Sequence, residues 1–284
     1  MRTVILICFL AGLLSAADGA PPVDARNLYD HADYSAAIAA LRRAPANAEN
    51  LELLGQCYFM QGEFKKATDS LEKAAALDPK DSMIQTWLGR AWGLRAQTSF
   101  PLTAFGYANK TRQSFEKAVK LDPSNPEALG DLFDFYMAAP GVVGGGVDKA
   151  AALLPQFEKY DPVGGYLAKA RLDEKKKEFV SAEANLRRAV QAEPHKPGVF
   201  VELAKFLSRR GRYDESEKVF HQAASVAPGS PQILFARADS YIKARRNMDQ
   251  ARDLLKKYID ADNRTPHDPP VWEARDLLRK AEGT

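Results

Sequence analysis

The chain has 284 residues, 45% of them apolar and 27% charged, the balance of a soluble globular protein long enough to bury a sizeable core. Its net charge of +3, from 40 basic and 37 acidic side chains, falls far short of the basic excess that nucleic-acid binding draws on, so no nucleic-acid partner is expected. With only two cysteines, Cys8 and Cys57, a disulfide framework is excluded.

The N-terminus places Arg2 before an apolar run from Val4 to Leu14 and then the small residues Ser15, Ala16 and Ala17. A short basic start, an apolar stretch and a small-residue cleavage site describe a secretory signal peptide over residues 1–17, cut after Ala17. The run is too short to span a bilayer, which takes roughly 20 apolar residues, so no stable membrane insertion is expected after cleavage. Cys8 lies inside the run behind Ile7, the wrong place for a lipid-modified cysteine, and reads as a small hydrophobe. The protein is therefore expected to be exported, to a periplasm or outside the cell, with Cys57 as its only remaining thiol.

Further along, four segments align: Leu71 to Pro79, Phe115 to Pro123, Leu186 to Pro194 and Phe220 to Pro228. Each carries a large apolar residue, an alanine three places later (Ala74, Ala118, Ala189, Ala223) and a proline five after that. A spacing of three puts the large residue and the alanine on one helical face. The alanine lets a neighbouring helix approach, and the proline stops the helix because its ring cannot continue the ladder. Upstream of the first proline, Leu51, Leu54, Gly55 and Tyr58 form a second amphipathic pattern, with Gly62 at a turn and Ala67 opening the next helix. The unit is a helix hairpin, and it repeats.

This pattern resembles the tetratricopeptide repeat family, whose motif is 34 residues long. Residues 48–81 match it at Leu51, Leu54, Gly55, Tyr58, Ala67, Leu71, Ala74 and Pro79. Residues 197–230 match with Phe200, Leu203, Ala204, Leu207, Phe220, Ala223 and Pro228, although Ser216 replaces an alanine. Residues 163–196 keep Tyr166, Ala170, Ala182, Leu186, Ala189 and Pro194 while Lys169 and Asp173 break the first helix. Residues 82–125 and 126–162 are longer than the motif, the excess falling between Trp92 and Thr111 and in the stretch Ala139 to Gly146. Residues 23–46 read as a degenerate first repeat, and 231–268 as a last one that leaves through a proline-rich stretch. Residues 269–284 contain a lone amphipathic helix able to cover the final repeat. The resemblance implies an all-α, right-handed α-solenoid with a C-terminal capping helix, of the secreted or periplasmic bacterial type.

Catalytic constellations are not evident. The four histidines are scattered, with no paired spacing that would hold a metal. Gly144, Gly145 and Gly146 lead into Val147 where a phosphate loop needs lysine and then serine or threonine, so the stretch reads as a flexible connection between helices. Cys57 has no nearby histidine to activate it and reads as a packed residue. No enzyme, metal or cofactor is expected. The repeats account for the whole mature chain, which leaves a non-catalytic scaffold or adaptor holding a protein or peptide, or alternatively a self-associating structural or assembly factor of an envelope complex.

In the family the first helices of successive repeats line a concave groove. Carried over, the inward positions are Glu49, Glu52, Gln56, Phe59 and Met60, then Arg90, Leu94, Asp134 and Met137, then Arg171, Lys175, Lys205 and Arg209, and lastly Phe235, Asp239, Ile242 and Lys243. Glu52 and Gln56 stand where chaperone-clamping members have lysine and asparagine, so that binding mode is excluded. Arg90, Arg171, Lys175, Lys205, Arg209, Lys243 and Phe235 are expected to line a partner-binding groove, whose C-terminal half would offer Arg171, Lys175, Lys205, Arg209 and Lys243 to an acidic segment. A second surface is open at the insertions, where Phe100, Phe105 and Tyr107 form either an edge that binds or a lengthened helix pair packed on itself.

Overall fold

The computed structural model describes residues 24–283. Helices fill it: α1 (Ala25–Asp30), α2 (Tyr34–Leu41), α3 (Ala48–Met60), α4 (Phe64–Leu77), α5 (Ser82–Gln97), α6 (Pro101–Leu121), α7 (Pro126–Ala138), α8 (Val147–Ala151), α9 (Leu154–Tyr160), α10 (Pro162–Lys175), α11 (Phe179–Ala192), α12 (Pro197–Arg209), α13 (Tyr213–Val226), α14 (Pro231–Lys243), α15 (Met248–Asp260) and α16 (Val271–Glu282). The expected signal peptide lies outside the described residues. No described helix is long and apolar enough to cross a membrane.

Successive helices pack as antiparallel hairpins, α3 with α4, α5 with α6, α10 with α11, α12 with α13 and α14 with α15, and each hairpin lies on the next. The local chemistry sets the ends. Asn47, Asp81 and Asn125 accept hydrogen bonds from backbone N–H groups at the starts of α3, α5 and α7, which would otherwise lack partners. Pro101, Pro126, Pro162, Pro197 and Pro231 sit in first turns, where a missing N–H costs nothing. The repeat prolines Pro79, Pro123, Pro194 and Pro228 each follow a helix end as expected, whereas Pro162 opens α10 directly after α9.

Between hairpin arms the backbone takes the left-handed region at one recurring place: Gly62 (φ 78°), Lys177 (φ 66°), Gly211 (φ 75°) and Arg245 (φ 51°). The arms approach most closely at Gly55 and Gly89. A methyl group there would come within 2.5 Å of Leu71 and 2.4 Å of Phe115. Ala170, Ala204 and Ala238 hold the same place in later hairpins and are buried. Two of the three residues that depart from the repeat pattern also pack: the Asp173 carboxylate accepts from Ser181 Oγ (2.5 Å) and Asn185 Nδ2 (2.9 Å), and Ser216 Oγ donates to the Ala204 carbonyl (2.8 Å).

The first insertion lengthens both arms of one hairpin, α5 to 16 residues and α6 to 21. Tyr107 stacks on Trp92 at 5.0 Å, and Arg95 lies over both rings while donating to Tyr107 Oη (2.7 Å) and Thr68 Oγ1 (2.8 Å). The second insertion corrects the expectation of a flexible connection. It is a compact turn in which Gly146 N–H donates to the Tyr136 carbonyl (2.8 Å), Gly145 N–H donates to the Pro140 carbonyl (3.2 Å) and Val143 is buried. The second arm of that repeat is split into α8 and α9, with Pro155 in the first turn of α9.

At the C-terminus α16 packs on α15 and α14 through Ala274, Leu277 and Leu278, covering the last hairpin. It also does more. Its Trp272 reaches the turn between α3 and α4, where Nε1 donates to the Phe59 carbonyl (3.2 Å) and the ring meets Phe64 edge-on at 5.3 Å. The two ends of the solenoid therefore touch.

Candidate partner-binding groove

The first arms α3, α5, α7, α10, α12 and α14 follow one another along a common concave side, which carries both charged and apolar side chains. On that side most of the expected bases already have acidic partners, usually on the neighbouring first arm. Arg90 pairs with Asp131 (2.5 Å) and Glu127 (2.9 Å), Arg171 with Asp134, and Arg209 with Glu174 (2.7 Å). Lys205 pairs with Glu202 (2.9 Å) and Lys243 with Asp239 (2.7 Å) within their own helices. Lys175 is exposed and has no ion pair among the described residues. The groove is thus a ladder of paired charges rather than a bare basic strip.

Phe235 is corrected outright. At 8% exposure it is turned into the core, where it meets Tyr258 edge-on at 5.3 Å, since its helical phase faces α15 and not the groove. Of the insertion residues, Phe100 is 87% and Phe105 47% exposed, and neighbouring Leu102 is 91% exposed. Tyr107 is half-buried as the structural clamp described above.

Two cavities open along the concave side, of about 990 Å³ and 710 Å³. The larger lies between the tip of the α5–α6 hairpin, α7 and α16, and is lined by Leu94, Phe105, Phe135, Val143, Trp272 and Leu277 among others. The smaller lies over α3 and α5, with the Pro266 to Pro270 stretch forming one wall against Glu52, Gln56 and Trp87. The inward residues of the first clear repeat therefore face the chain's own C-terminal connector.

Partial enclosure shifts the acids. Burial, reinforced by Asp81, pushes Glu52 up to about 7, against a hydrogen bond from Gln56 Nε2 (2.8 Å). Burial also pushes Asp131 up to about 6 despite Arg90. Glu273 of α16 is raised by burial and by Asp239, with Lys243 and Lys205 pulling the other way. Among the described residues no group of three His, Cys, Asp or Glu could hold a metal.

The sequence reading passed over Glu174, which is an inward residue of its repeat, and over Glu127, Asp131 and Glu202 beside inward ones. Their signal is acids within a turn of an inward position on the neighbouring first arm. Trp272 had no such signal, because the site it occupies is assembled 213 residues away.

Models of the tetratricopeptide repeat match residues 48–81, 175–232 and 209–278. The chain is 27% identical, in an alignment 237 positions long that covers 70% of this chain and 16% of the other, to "Cellulose synthase operon protein C" of Xanthomonas axonopodis pv. citri (strain 306). It is 27% identical, in an alignment 215 positions long that covers 71% of this chain and 13% of the other, to "Tetratricopeptide repeat protein 37" of Xenopus laevis. It thus spans under a fifth of the curated relatives it matches. A solved tetratricopeptide repeat protein from Parabacteroides merdae ATCC 43184 superposes with a TM-score of 0.58 at 14% identity, covering 91% of this chain and 96% of that one, a likeness of fold alone. With the motif residues, the stacked hairpins and these matches together, the chain belongs to the tetratricopeptide repeat family, an all-α solenoid of the kind that serves as a protein-interaction scaffold.

Proposed function

We propose that the protein is an exported, non-catalytic scaffold that holds a protein or peptide partner on its concave side, with an acidic segment of the partner against α10, α12 and α14. The observation that carries this reading is the ladder itself. Arg171, Lys205, Arg209 and Lys243 are brought to one face by three different helices, α10, α12 and α14, and their present partners are side chains that can exchange. The Arg171–Asp134 pair is open to water, with the two side chains 42% and 56% exposed, so it contributes little stability and yields readily to a better-placed carboxylate. Lys175 adds an exposed cation at the same end. Export is supported by the signal-peptide pattern of residues 1–17.

The test is residue-specific crosslinking from exposed positions on α10 and α12 of the tagged mature protein, comparing wild type with the Arg171→Glu/Lys205→Glu double variant. Loss of the crosslinked partner in the variant, with helicity and melting unchanged, is the expected result. An identical crosslink pattern would remove the acidic-segment reading. Protein recovered outside the cytoplasm should by intact mass begin at Asp18; an uncut N-terminus there would refute cleavage after Ala17, and retention of all the protein in the cytoplasm would refute export.

A further inference from the structure

The concave side is not empty of ligand-like chemistry, because the chain supplies its own. From Asp260 the connector runs back toward the N-terminal end, held by Arg264 Nη1 donating to the Tyr258 carbonyl (2.8 Å), by Tyr258 Oη on the Pro269 carbonyl, and by Asp268 capping Thr265. Pro266, His267, Asp268 and Pro270 form a wall of the smaller cavity, and Trp272, Glu273 and Leu277 a wall of the larger. This single segment divides the groove in two.

Its seat on the first repeat is built for an indole. The Phe59 carbonyl takes the ring N–H, Phe64 takes the ring edge, and Gly62 leaves the space: a methyl group there would lie 3.3 Å from Trp272 Cδ1. Gly62 is left-handed (φ 78°), so glycine serves both the turn and the seat. The next residue, Glu273, makes no ion pair among the described residues and lies among Asp239, Lys243, Asp276 and Lys205, the two lysines being cations assigned above to an acidic partner. Ala274, Leu277 and Leu278 complete an apolar face on α14 and α15. An aromatic anchor, an adjacent carboxylate and an apolar helical face are thus already docked where a partner is expected.

We infer that residues 263–282 are an internal stand-in for a ligand, and that the partner segment which replaces them is an amphipathic helix bearing a tryptophan followed by acidic residues. This rests on the scaffold reading above and narrows it. The hydrogen bond and the ring contact that tie the segment to α3 and α4 are both made by Trp272, while the apolar face on α14 and α15 is what an incoming helix must replace. An external segment of the same chemistry then binds with an affinity reduced by the fraction of molecules that are closed. Weakening the internal contact must therefore strengthen capture in trans, the reverse of what removing an ordinary surface residue does.

The experiment uses the full chain and a fluorescent synthetic peptide of residues 269–282, read by anisotropy, with a second peptide carrying Trp272→Ala as control. The Trp272→Ala protein should bind the peptide at least tenfold more tightly than wild type, and Trp272→Phe, which keeps a ring but loses the N–H donor, should fall between. The tryptophan-less peptide should bind neither, and Lys205→Glu/Lys243→Glu in the Trp272→Ala background should weaken binding tenfold or more. Should Trp272→Ala not fold, the comparison of wild type with Trp272→Phe decides. Equal affinity for wild type and the opened variants, or binding that ignores the peptide's tryptophan, overturns the inference. If crosslinking from α10 and α12 still finds a partner in that case, the scaffold function stands and only the stand-in fails. If the peptide preference holds while the charge reversals leave crosslinking untouched, the stand-in survives and the acidic-partner reading fails.

Discussion

At the scale of single residues, the concave side is set by where charge meets burial. Glu52 shows the consequence for stability. Its carboxyl is held up to about 7 from an ordinary 4.5 by burial beside Asp81, with Glu49 adding to the rise and Arg26 and Gln56 opposing it. The folded chain therefore binds this proton more tightly than the unfolded chain does. That contribution is fully present below about pH 4.5 and is lost as pH rises toward about 7. Glu52→Gln should accordingly be more stable than wild type at pH 7.5 and match it near pH 4.5, as read by thermal melts across that range. Equal melting differences at both ends would contradict the assignment. The left-handed positions make a related point, since Lys177 and Arg245 occupy turns that Gly62 and Gly211 occupy without a side chain. Glycine was legible in the sequence as a turn marker at Gly62, whereas Lys177 and Arg245 carry no marker because lysine and arginine give no sign of a positive φ.

Among helices, the repeat spacing translated directly into contact. Ala189 and Ala223, the alanines of two aligned segments, are both fully buried where their helices meet the preceding arms. Enlarging either to leucine adds three carbons to a closed contact and should cost about 1–3 kcal/mol in chemical denaturation. A loss under about 0.5 kcal/mol at both sites would show that the hairpins are looser than their burial implies. The insertions were visible only as surplus length. That surplus in α5 and α6 could have formed a separate binding edge or a longer hairpin. The Trp92, Arg95, Tyr107 stack decides for the longer hairpin along its shaft, while Phe100, Leu102 and Phe105 remain exposed at the tip. A glycine-rich stretch reads as loose because glycine widens the accessible backbone. Here the same freedom lets Gly144 (φ 90°) and Gly146 (φ 152°) close a tight turn.

For the whole molecule, a simple solenoid would carry strain only between neighbouring repeats. Trp272 breaks that rule by joining α16 to the α3–α4 turn. Amide hydrogen exchange offers a direct check. Trp272→Ala should speed exchange in α3 and α4 while leaving α10 to α12 near wild type. An effect confined to α14 to α16 would mean that the seam carries no stability.

What the sequence determined by itself was periodic: the helix hairpins, their small contact residues, the prolines after helix ends, and the bases that share one face. Each depends on neighbours within one repeat, where spacing along the chain and distance in space carry the same information. Tertiary structure decided everything that needs distant repeats to be placed together. The acidic partners of Arg171 and Arg209 come from neighbouring first arms, Phe235 turns inward because α15 covers that side of its helix, and the tryptophan seat exists only once enough hairpins have stacked to curve the chain back on its start. The small rotation from each repeat to the next has no local signature, yet its accumulation sets which residues face each other across the groove.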